Sequence, residues 1–251
     1  MDTLGINSII YADRKIPEML SELSKTDIRT VELTGAHLQP DASDADVETV
    51  KAQFHDAGVD ICGYGVVDLT RSEEVEPTFA FVRELGGSYV TVNFPPSESA
   101  IAEELVAAAE TYDLDVAVHN YSTVHHDDIS EIFSSMEDVR ELLDAHDHPH
   151  LGVCVDTGHF LVMDQSPEEL VTEFGDRILA VHLKDTSEEE LEDVPGAGRL
   201  ELEAFLSLLG EYAQLQHPLI IEYEIDPERT TEGLKEAERN VRDALETLEH
   251  R

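Results

Sequence analysis

The strongest constraint on the fold is a repeated alternation of short apolar, strand-like runs with amphipathic, helix-like runs. About eight such units, each roughly thirty residues long, fill the 251 residues without a linker or a low-complexity segment. The strand-like runs are Leu4–Ile10, Thr30–Leu33, Ile61–Val67, Tyr89–Asn93, Asp115–His119, Leu151–Asp156, Ile178–Leu183 and Leu219–Tyr223.

This alternation predicts a parallel sheet covered by helices. Eight units in about 250 residues match a single (β/α)8 TIM barrel. The alternative is a doubly wound open sheet, which usually carries a glycine-rich phosphate loop after its first strand. Here Gly5 and Gly35 stand alone. We therefore predict one TIM-barrel domain that spans residues 1–251.

The charge balance is extreme. There are 16 Lys and Arg residues and 56 Asp and Glu residues, so the formal net charge is 16 − 56 = −40. Hydrophobic residues make up 41% of the chain, which is enough for a packed core. The acid is spread over every predicted helix, as in proteins of halophiles with a salt-rich cytoplasm. Such a surface excludes a nucleic-acid partner and disfavours an anionic membrane.

Cysteine usage and the amino terminus predict the compartment. Cys62 and Cys154 lie inside apolar strands without metal-type spacing, which indicates reduced core thiols. The amino terminus lacks a signal-peptide pattern, and no apolar run is long enough to cross a bilayer. We expect a cytoplasmic protein. Its oligomeric state stays open, with a homo-oligomer as one alternative.

Two successive strands end in residues that can bind a metal. Alternating side chains place Cys154 and Asp156 on one face of the first strand, and His182 and Lys184 on one face of the second. Each residue alone has another reading, Asp156 as a helix cap and His182 as a buried core histidine. Their matching positions on successive strands favour a functional site.

Catalytic residues of a barrel come from the C-terminal ends of its strands. His119, Asp156, His182 and Glu222 end four consecutive strands and should converge at one side of the mouth. Two imidazoles and two carboxylates suit one divalent ion, either Mn²⁺, Co²⁺ or Zn²⁺, or Mg²⁺ where substrate and water oxygens complete its shell. The alternative is a polar rim without a metal.

Further polar residues at the predicted mouth are candidates for substrate contact. His159 alternatively orients a metal ligand. We read His125 and His126 as a solvated loop, with a position at the entrance as the alternative. The candidates for substrate contact are Glu32, His37, Tyr64, Asn93, His159 and Arg199.

At these positions the sequence resembles the sugar phosphate isomerase/epimerase family, the xylose-isomerase-like TIM barrels. That family includes inosose dehydratases, hydroxypyruvate isomerases, ketose 3-epimerases and type IV endonucleases. The resemblance covers nearly the whole chain. The motifs that carry it are Val31-Glu32-Leu33, Cys154-Val155-Asp156-Thr157-Gly158-His159, His182-Leu183-Lys184-Asp185, Gly196-Ala197-Gly198 and Ile221-Glu222-Tyr223.

The resemblance implies one divalent ion held by Glu, Asp, His and Glu on the last four strands. By matched position the last three fall on Asp156, His182 and Glu222, whereas the first falls on His119, which departs from the family pattern. It also implies an isomerase or epimerase of a small sugar or keto-acid that forms an enediolate. Glu222 would be the general base with His119 as the alternative, and Lys184 would donate a proton or hold an anionic group.

Other functions share these residues. A lyase of the inosose-dehydratase kind starts from the same enediolate, and a non-catalytic sugar-binding barrel retains the pocket alone. A DNA-repair endonuclease needs further metal ligands and a basic face, and neither is evident. Lys184 and Arg199 are among the few cations near the last two loops. A neutral sugar, or an acid chelated by the metal, is therefore at least as well supported as a sugar phosphate.

Overall fold

The strands form a closed barrel. The computed structural model describes residues 3–250. Within that range eight parallel strands pair in sequence order, and the last pairs with the first through Leu4–Leu219, Gly5–Ile220 and Ile6–Ile221. The strands are β1 Leu4–Asn7, β2 Thr30–Leu33, β3 Asp60–Asp68, β4 Tyr89–Asn93, β5 Asp115–His119, β6 Leu151–Asp156, β7 Ile178–Leu183 and β8 Leu219–Ile221.

Helices follow the strands and cover the barrel, which confirms the predicted (β/α)8 architecture. None of the helices within residues 3–250 is long and apolar enough to cross a membrane. The helices are α1 Ile16–Leu23, α2 Asp44–Ala57, α3 Val75–Leu85, α4 Ser99–Tyr112, α5 Met136–Ala145, α6 Thr157–Val162, α7 Pro167–Phe174, α8 Leu202–Tyr212 and α9 Thr230–Glu249.

Local sequence explains where these elements begin and end. The strands β4, β6 and β8 are buried along their whole length, as their continuous apolar runs predict. Helix α2 is preceded by Ser43, whose hydroxyl accepts the amide of Asp46 and caps the helix, and it is followed by Gly58. Gly58 has φ 65°, a left-handed conformation that glycine adopts without a Cβ penalty.

Several boundaries differ from the sequence prediction, including both ends of β3, which runs from Asp60 to Asp68. β1 ends at Asn7 because the Asn7 side chain accepts the amide of Ile9 and starts a 3₁₀ turn. β8 ends at Ile221, although the amide of Glu222 still donates to the carbonyl of Leu183 at 3.0 Å. A short helix, α6, begins directly after Asp156, which caps it as one reading of the sequence had offered.

The register of the barrel fixes which strand ends meet. Asp156 on β6 lies directly opposite His182 on β7, and His119 on β5 lies opposite Cys154 on β6. Partners in a parallel register point to the same side of the sheet. The ends of β5, β6 and β7 therefore present their metal-type side chains toward one region inside the mouth.

Candidate active site

Four buried side chains converge at the C-terminal end of the barrel. His119, Asp156, His182 and Glu222 each offer one ligand-type atom, and these atoms lie within 4.8 Å of one another. The first three side chains are fully buried and that of Glu222 is 8% exposed. They are the four residues that the sequence pattern predicts to converge at the mouth.

The hydrogen-bond pattern of this cluster suits a cation. Among the described residues, both ring nitrogens of His119, Oδ2 of Asp156, Nδ1 of His182 and Oε2 of Glu222 are buried without a hydrogen-bond partner. Nδ1 of His182 lies only 2.9 Å from Oε2 of Glu222, yet without hydrogen-bond geometry. Unpartnered buried polar atoms are costly. Several of them facing one point fit the donor set of a divalent ion.

The two carboxylate oxygens of Asp156 have separate roles. Oδ1 accepts the amide of His159 at 2.8 Å and thereby caps α6. Oδ2 remains directed at the cluster, 3.6 Å from Nε2 of His119. Asn120 fixes the backbone of Asp156 by accepting its amide at 2.8 Å and donating to its carbonyl at 3.0 Å. The helix-cap reading and the metal-ligand reading are therefore compatible.

His182 is oriented by a carboxylate behind it. Its Nε2 lies 2.9 Å from Oε2 of Glu32, and Tyr89 donates its hydroxyl to the same oxygen at 2.8 Å. The hydroxyl of Thr91 donates to the other oxygen of Glu32. With Nε2 bonded in this way, Nδ1 faces Glu222 and the cluster. Ligating histidines in proteins are commonly held by such a carboxylate.

Lys184 lies between three carboxylates and is 1% exposed. Its Nζ is 2.8 Å from Oε1 of Glu222, 2.7 Å from Oε1 of Glu192 and 3.4 Å from Oδ2 of Asp156. Burial alone would lower the pKa of Lys184, but these carboxylates raise it well above its ordinary value. The side chain is therefore an ammonium ion at neutral pH.

Burial and charge set the protonation of the other groups. Burial lowers the pKa of His119, and it lowers the pKa of His159 to about 3, so both rings are neutral near pH 7. Burial would raise the pKa of Asp156 and of Glu222, but the Lys184 ammonium lowers both below their ordinary values. Burial would lower the pKa of His182 as well, but the neighbouring Cys154, Glu32 and Glu222 side chains raise it well above its ordinary value, so its ring carries a proton that a bound ion would have to displace. The cluster thus combines ionised carboxylates with one neutral imidazole, that of His119.

A cavity of about 380 Å³ opens above the cluster. Glu222, Lys184 and His159 form part of its wall, and Asn7, Thr34 and Asp68 line it from the β1 to β3 side. Tyr121, His125, His126 and Glu224 contribute further polar or aromatic wall. The mouth of the barrel therefore offers a polar space of the size of a small metabolite.

One of the six residues predicted to contact substrate, His159, is among the residues that line the cavity. His159 lines the cavity, with Nδ1 2.8 Å from the hydroxyl of Ser122 and Nε2 unpartnered. Asn93 lies behind the wall and donates to Asp68 at 2.9 Å. Asn93 is therefore not among the residues that line the cavity, and neither are the four other candidates Glu32, His37, Tyr64 and Arg199.

Each of these four has a different environment from the one expected. Glu32 lies beneath His182 and contacts its ring. Tyr64 lies in the middle of β3, because the strand continues to Asp68. Its hydroxyl donates to the carbonyl of Leu38 at 2.8 Å. His37 faces a separate surface depression beside Arg14, and Arg199 is 52% exposed.

Sequence reasoning missed several residues of the site. Glu192 contacts Lys184 and His125, the latter at 3.0 Å, but its loop has no periodic pattern that would reveal this. His125 lines the cavity while its side chain stays 37% exposed, which is the entrance position that the sequence offered as the alternative. Tyr121 packs against His119 and His159 with ring centroids 4.5 and 5.1 Å apart. Asp68, at the true end of β3, could have been found from a correct strand boundary.

Asp185 holds the loop that carries Glu192. Its two carboxylate oxygens accept four backbone amides, from Thr186, Gly196, Gly198 and Leu200, at 2.8 to 3.0 Å. A Cβ on Gly198 would lie 2.1 Å from the carbonyl oxygen of Thr186. The Gly196-Ala197-Gly198 motif therefore allows the backbone to pack closely around the Asp185 carboxylate.

The fold and part of the sequence match known proteins. A family model described as xylose isomerase-like TIM barrel matches residues 123–250. No curated protein matches the sequence.

Several solved structures are similar. An uncharacterized protein from Parabacteroides distasonis is 24% identical over 95% of this chain and 98% of its own, with a TM-score of 0.68. L-ribulose 3-epimerase is 15% identical over 100% and 96% of the two chains, with a TM-score of 0.76. D-psicose 3-epimerase from Clostridium cellulolyticum H10, solved with D-tagatose, is 14% identical over 97% and 99%, with a TM-score of 0.75. At these identities the likeness shows the fold.

Proposed function

The chain belongs to the xylose isomerase-like TIM barrel family, and on that premise we propose that it is a divalent-metal-dependent isomerase or epimerase of a small sugar or keto-acid. The observation that carries the proposal is the cluster of unpartnered ligand-type atoms on His119, Asp156, His182 and Glu222, the last of which lines a polar cavity. The sugar epimerases among the similar structures support the same reaction class.

The proposed ligands are these four side chains, two carboxylates and two imidazoles, of which His182 would bind after losing its proton. Their two negative charges balance one divalent ion, and Glu32 holds the His182 ring in position. The chemistry that a bound divalent ion supplies at such a site is polarisation of a substrate oxygen, which stabilises a neighbouring enediolate. Mn²⁺, Co²⁺, Zn²⁺ and Mg²⁺ all remain candidates for this mixed donor set.

Glu222 is the proposed general base. It lines the cavity, whereas the His119 side chain is fully buried and is not part of the cavity wall. Glu222 would remove the proton from the carbon next to the substrate carbonyl. Lys184, whose ammonium lies 2.8 Å from Glu222 Oε1, would return a proton or hold the substrate oxygen that gains charge. His159, as a neutral imidazole on the wall, would bind a substrate hydroxyl.

Deuterium exchange tests proton abstraction even where the product is unidentified. The protein is stripped with a chelator, reloaded with each ion, and incubated in D₂O with free ketoses, aldoses, hydroxypyruvate and inosose. NMR should show ion-dependent deuterium at the carbon next to the carbonyl. Glu222→Gln should slow this exchange by about 10²- to 10⁴-fold. Glu228→Gln, on the same loop but exposed, should leave it unchanged.

The products distinguish the alternatives. An isomer or epimer supports the proposal, whereas a dehydrated keto product would assign the lyase reaction of the inosose-dehydratase kind. Tight sugar binding without exchange in any ion would indicate a non-catalytic sugar-binding barrel.

Metal content tests the ligand assignment separately. Asp156→Ala or His182→Ala should lower the bound metal by about 10-fold or more, because each removes a proposed ligand. His148→Ala removes a histidine that lies outside the cluster, paired with Glu110, and should have no effect. Undiminished metal in both cluster variants would contradict the assignment.

A further inference from the structure

A second group of metal-type side chains adjoins the cluster. His125, His159 and Glu192 each offer a ligand-type atom, and these atoms also lie within 4.8 Å of one another. Nε2 of His159 is buried and unpartnered, 3.8 Å from Oε1 of Glu192. Nε2 of His125 is 3.0 Å from the same oxygen. Two imidazoles and a carboxylate are a common ligand set for Zn²⁺.

The oxygen that would bind an ion in this second group is already occupied. Oε1 of Glu192, the oxygen that both imidazoles approach, lies 2.7 Å from the Lys184 ammonium. The same ammonium contacts Asp156 and Glu222, which belong to the first cluster. Lys184 therefore stands between the two groups and shares carboxylates with both.

The charges of Lys184 and of the three carboxylates that it contacts balance with one divalent ion and not with two. The three carboxylates that Lys184 contacts carry −3 and the ammonium +1, a sum of −2. One divalent ion neutralises this buried charge. A second would leave a net charge of +2, with the Lys184 ammonium already counted, which a low-dielectric interior disfavours.

We infer that Lys184 serves as a built-in second cation, which limits the site to one divalent ion and keeps His125, His159 and Glu192 from forming a second metal site. The inference rests on the metal site of the proposed function. This role of Lys184 is separate from proton transfer, because it depends only on the positive charge of the ammonium and on its position between the carboxylates. His159 and His125 then remain available to substrate hydroxyls.

Metal stoichiometry tests this role without any measurement of activity. Wild type, Lys184→Met, Lys184→Gln and Lys184→Arg are equilibrated with Zn²⁺ or Co²⁺ in molar NaCl, which suppresses binding to the acidic surface. Bound metal per chain is then measured, together with the absorption spectrum of Co²⁺. Lys235→Met is the matched control, because it breaks an exposed 2.7 Å lysine–glutamate pair with Glu232.

The expected result is one ion per chain in wild type, Lys184→Arg and Lys235→Met, and two in Lys184→Met and Lys184→Gln. Adding Glu192→Gln to Lys184→Met should return the count to one. The thermal midpoint of both uncharged variants should rise with the second equivalent of metal, which separates a filled site from a misfolded one.

Two results would overturn the inference. One ion in wild type and in both uncharged variants refutes the role of Lys184 and leaves the proposed metal site intact. No ion in wild type refutes the metal site itself, and the inference with it.

Discussion

Nε2 of His182 on β7 lies 2.9 Å from Oε2 of Glu32 on β2, although β2 and β7 are not neighbours in the barrel. The contact crosses the barrel interior, beneath the cavity. It leaves Nδ1 as the only ring nitrogen of His182 that faces the cluster. The orientation of this proposed ligand therefore depends on a carboxylate from the opposite side of the barrel.

Removing the charge of Glu32 should weaken the metal site without removing a ligand. Glu32→Gln keeps the shape of the side chain but loses the carboxylate that orients the ring, so metal affinity should fall by about 10- to 100-fold. A metal titration by calorimetry measures this. Glu238→Gln is the control, because Glu238 is also a buried carboxylate but pairs with Arg242. Equal affinity in both variants would contradict the orienting role.

His119→Glu should change the preference of the site among ions. A third carboxylate adds hard oxygen donors, so Mg²⁺ and Mn²⁺ should gain affinity relative to Zn²⁺. Competition between the ions measures the ratio. His126→Glu adds the same charge on the cavity wall outside the cluster and should leave the ratio unchanged. An unchanged ratio in His119→Glu would place His119 outside the ligand set.

Free sugars should be better substrates than their phosphates. Among the described residues that line the cavity, Lys184 is the only lysine or arginine, and three carboxylates already contact it. Arg199 pairs with Asp164 away from the wall. We expect kcat/KM to be several-fold higher for a free sugar than for its phosphate. A clear preference for the phosphorylated form would contradict this expectation and would require a further cation at the cavity.

Withdrawing salt should weaken the fold. Even acidic residues in ion pairs stay exposed, with Glu48, Glu137 and Glu232 at 65%, 66% and 77%. Repulsion among such charges grows as the Debye length rises from about 3 Å at 1 M salt to about 10 Å at 0.1 M. The thermal midpoint should fall by more than about 5 °C, which is roughly 1–2 kcal/mol for this chain length. Sucrose should not replace the salt, and a constant midpoint would contradict the prediction.

Asp115 should link stability to pH. It lies 2.7 Å from Nδ1 of His150 and 2.8 Å from Nε2 of His217. Burial raises the pKa of Asp115, but these hydrogen bonds lower it below its ordinary value. A folded-state pKa below the unfolded one gives stability that is present above about pH 4 and is lost as the pH falls through the folded value.

Thermal unfolding of wild type and Asp115→Asn between about pH 2 and pH 7 measures this contribution. The advantage of wild type should be largest near neutrality and should shrink below about pH 4. Asp147→Asn, at a 94% exposed position, should follow the wild-type curve. A difference between Asp115→Asn and wild type that does not depend on pH would refute the linkage.

The sequence was sufficient for the barrel and for the residues that end regular strands. His119, Asp156 and His182 could be placed because the pairing of β5 with β6 is regular and the shift in the pairing of β6 with β7 comes before the strand ends, at Val153 and Cys154. Tyr64 was misplaced because the pairing of β3 with β4 shifts register between Tyr64 and Val67. Periodicity does not reveal such an irregularity.

Depth inside the barrel was also not predictable. Glu32 and His182 lie on strands that are distant in sequence, and the stagger of the strands decides that one lies beneath the other. Glu192 was missed for another reason. It belongs to a loop without a repeating pattern, and its place is determined by backbone amides that converge on Asp185.

The four backbone amides that donate to Asp185 hold one part of this loop in place, and the rest of the loop lies outside these hydrogen bonds. Its base, around Thr186 and from Gly196 to Leu200, is fixed by one side chain, whereas its tip includes Leu191 with 61% of its surface exposed. The backbone pair between Asp185 and Asp193 keeps the neighbouring Glu192 with the base. Residues 187–191 can therefore be exchanged or grafted in a redesigned protein while Glu192 keeps its contact with Lys184.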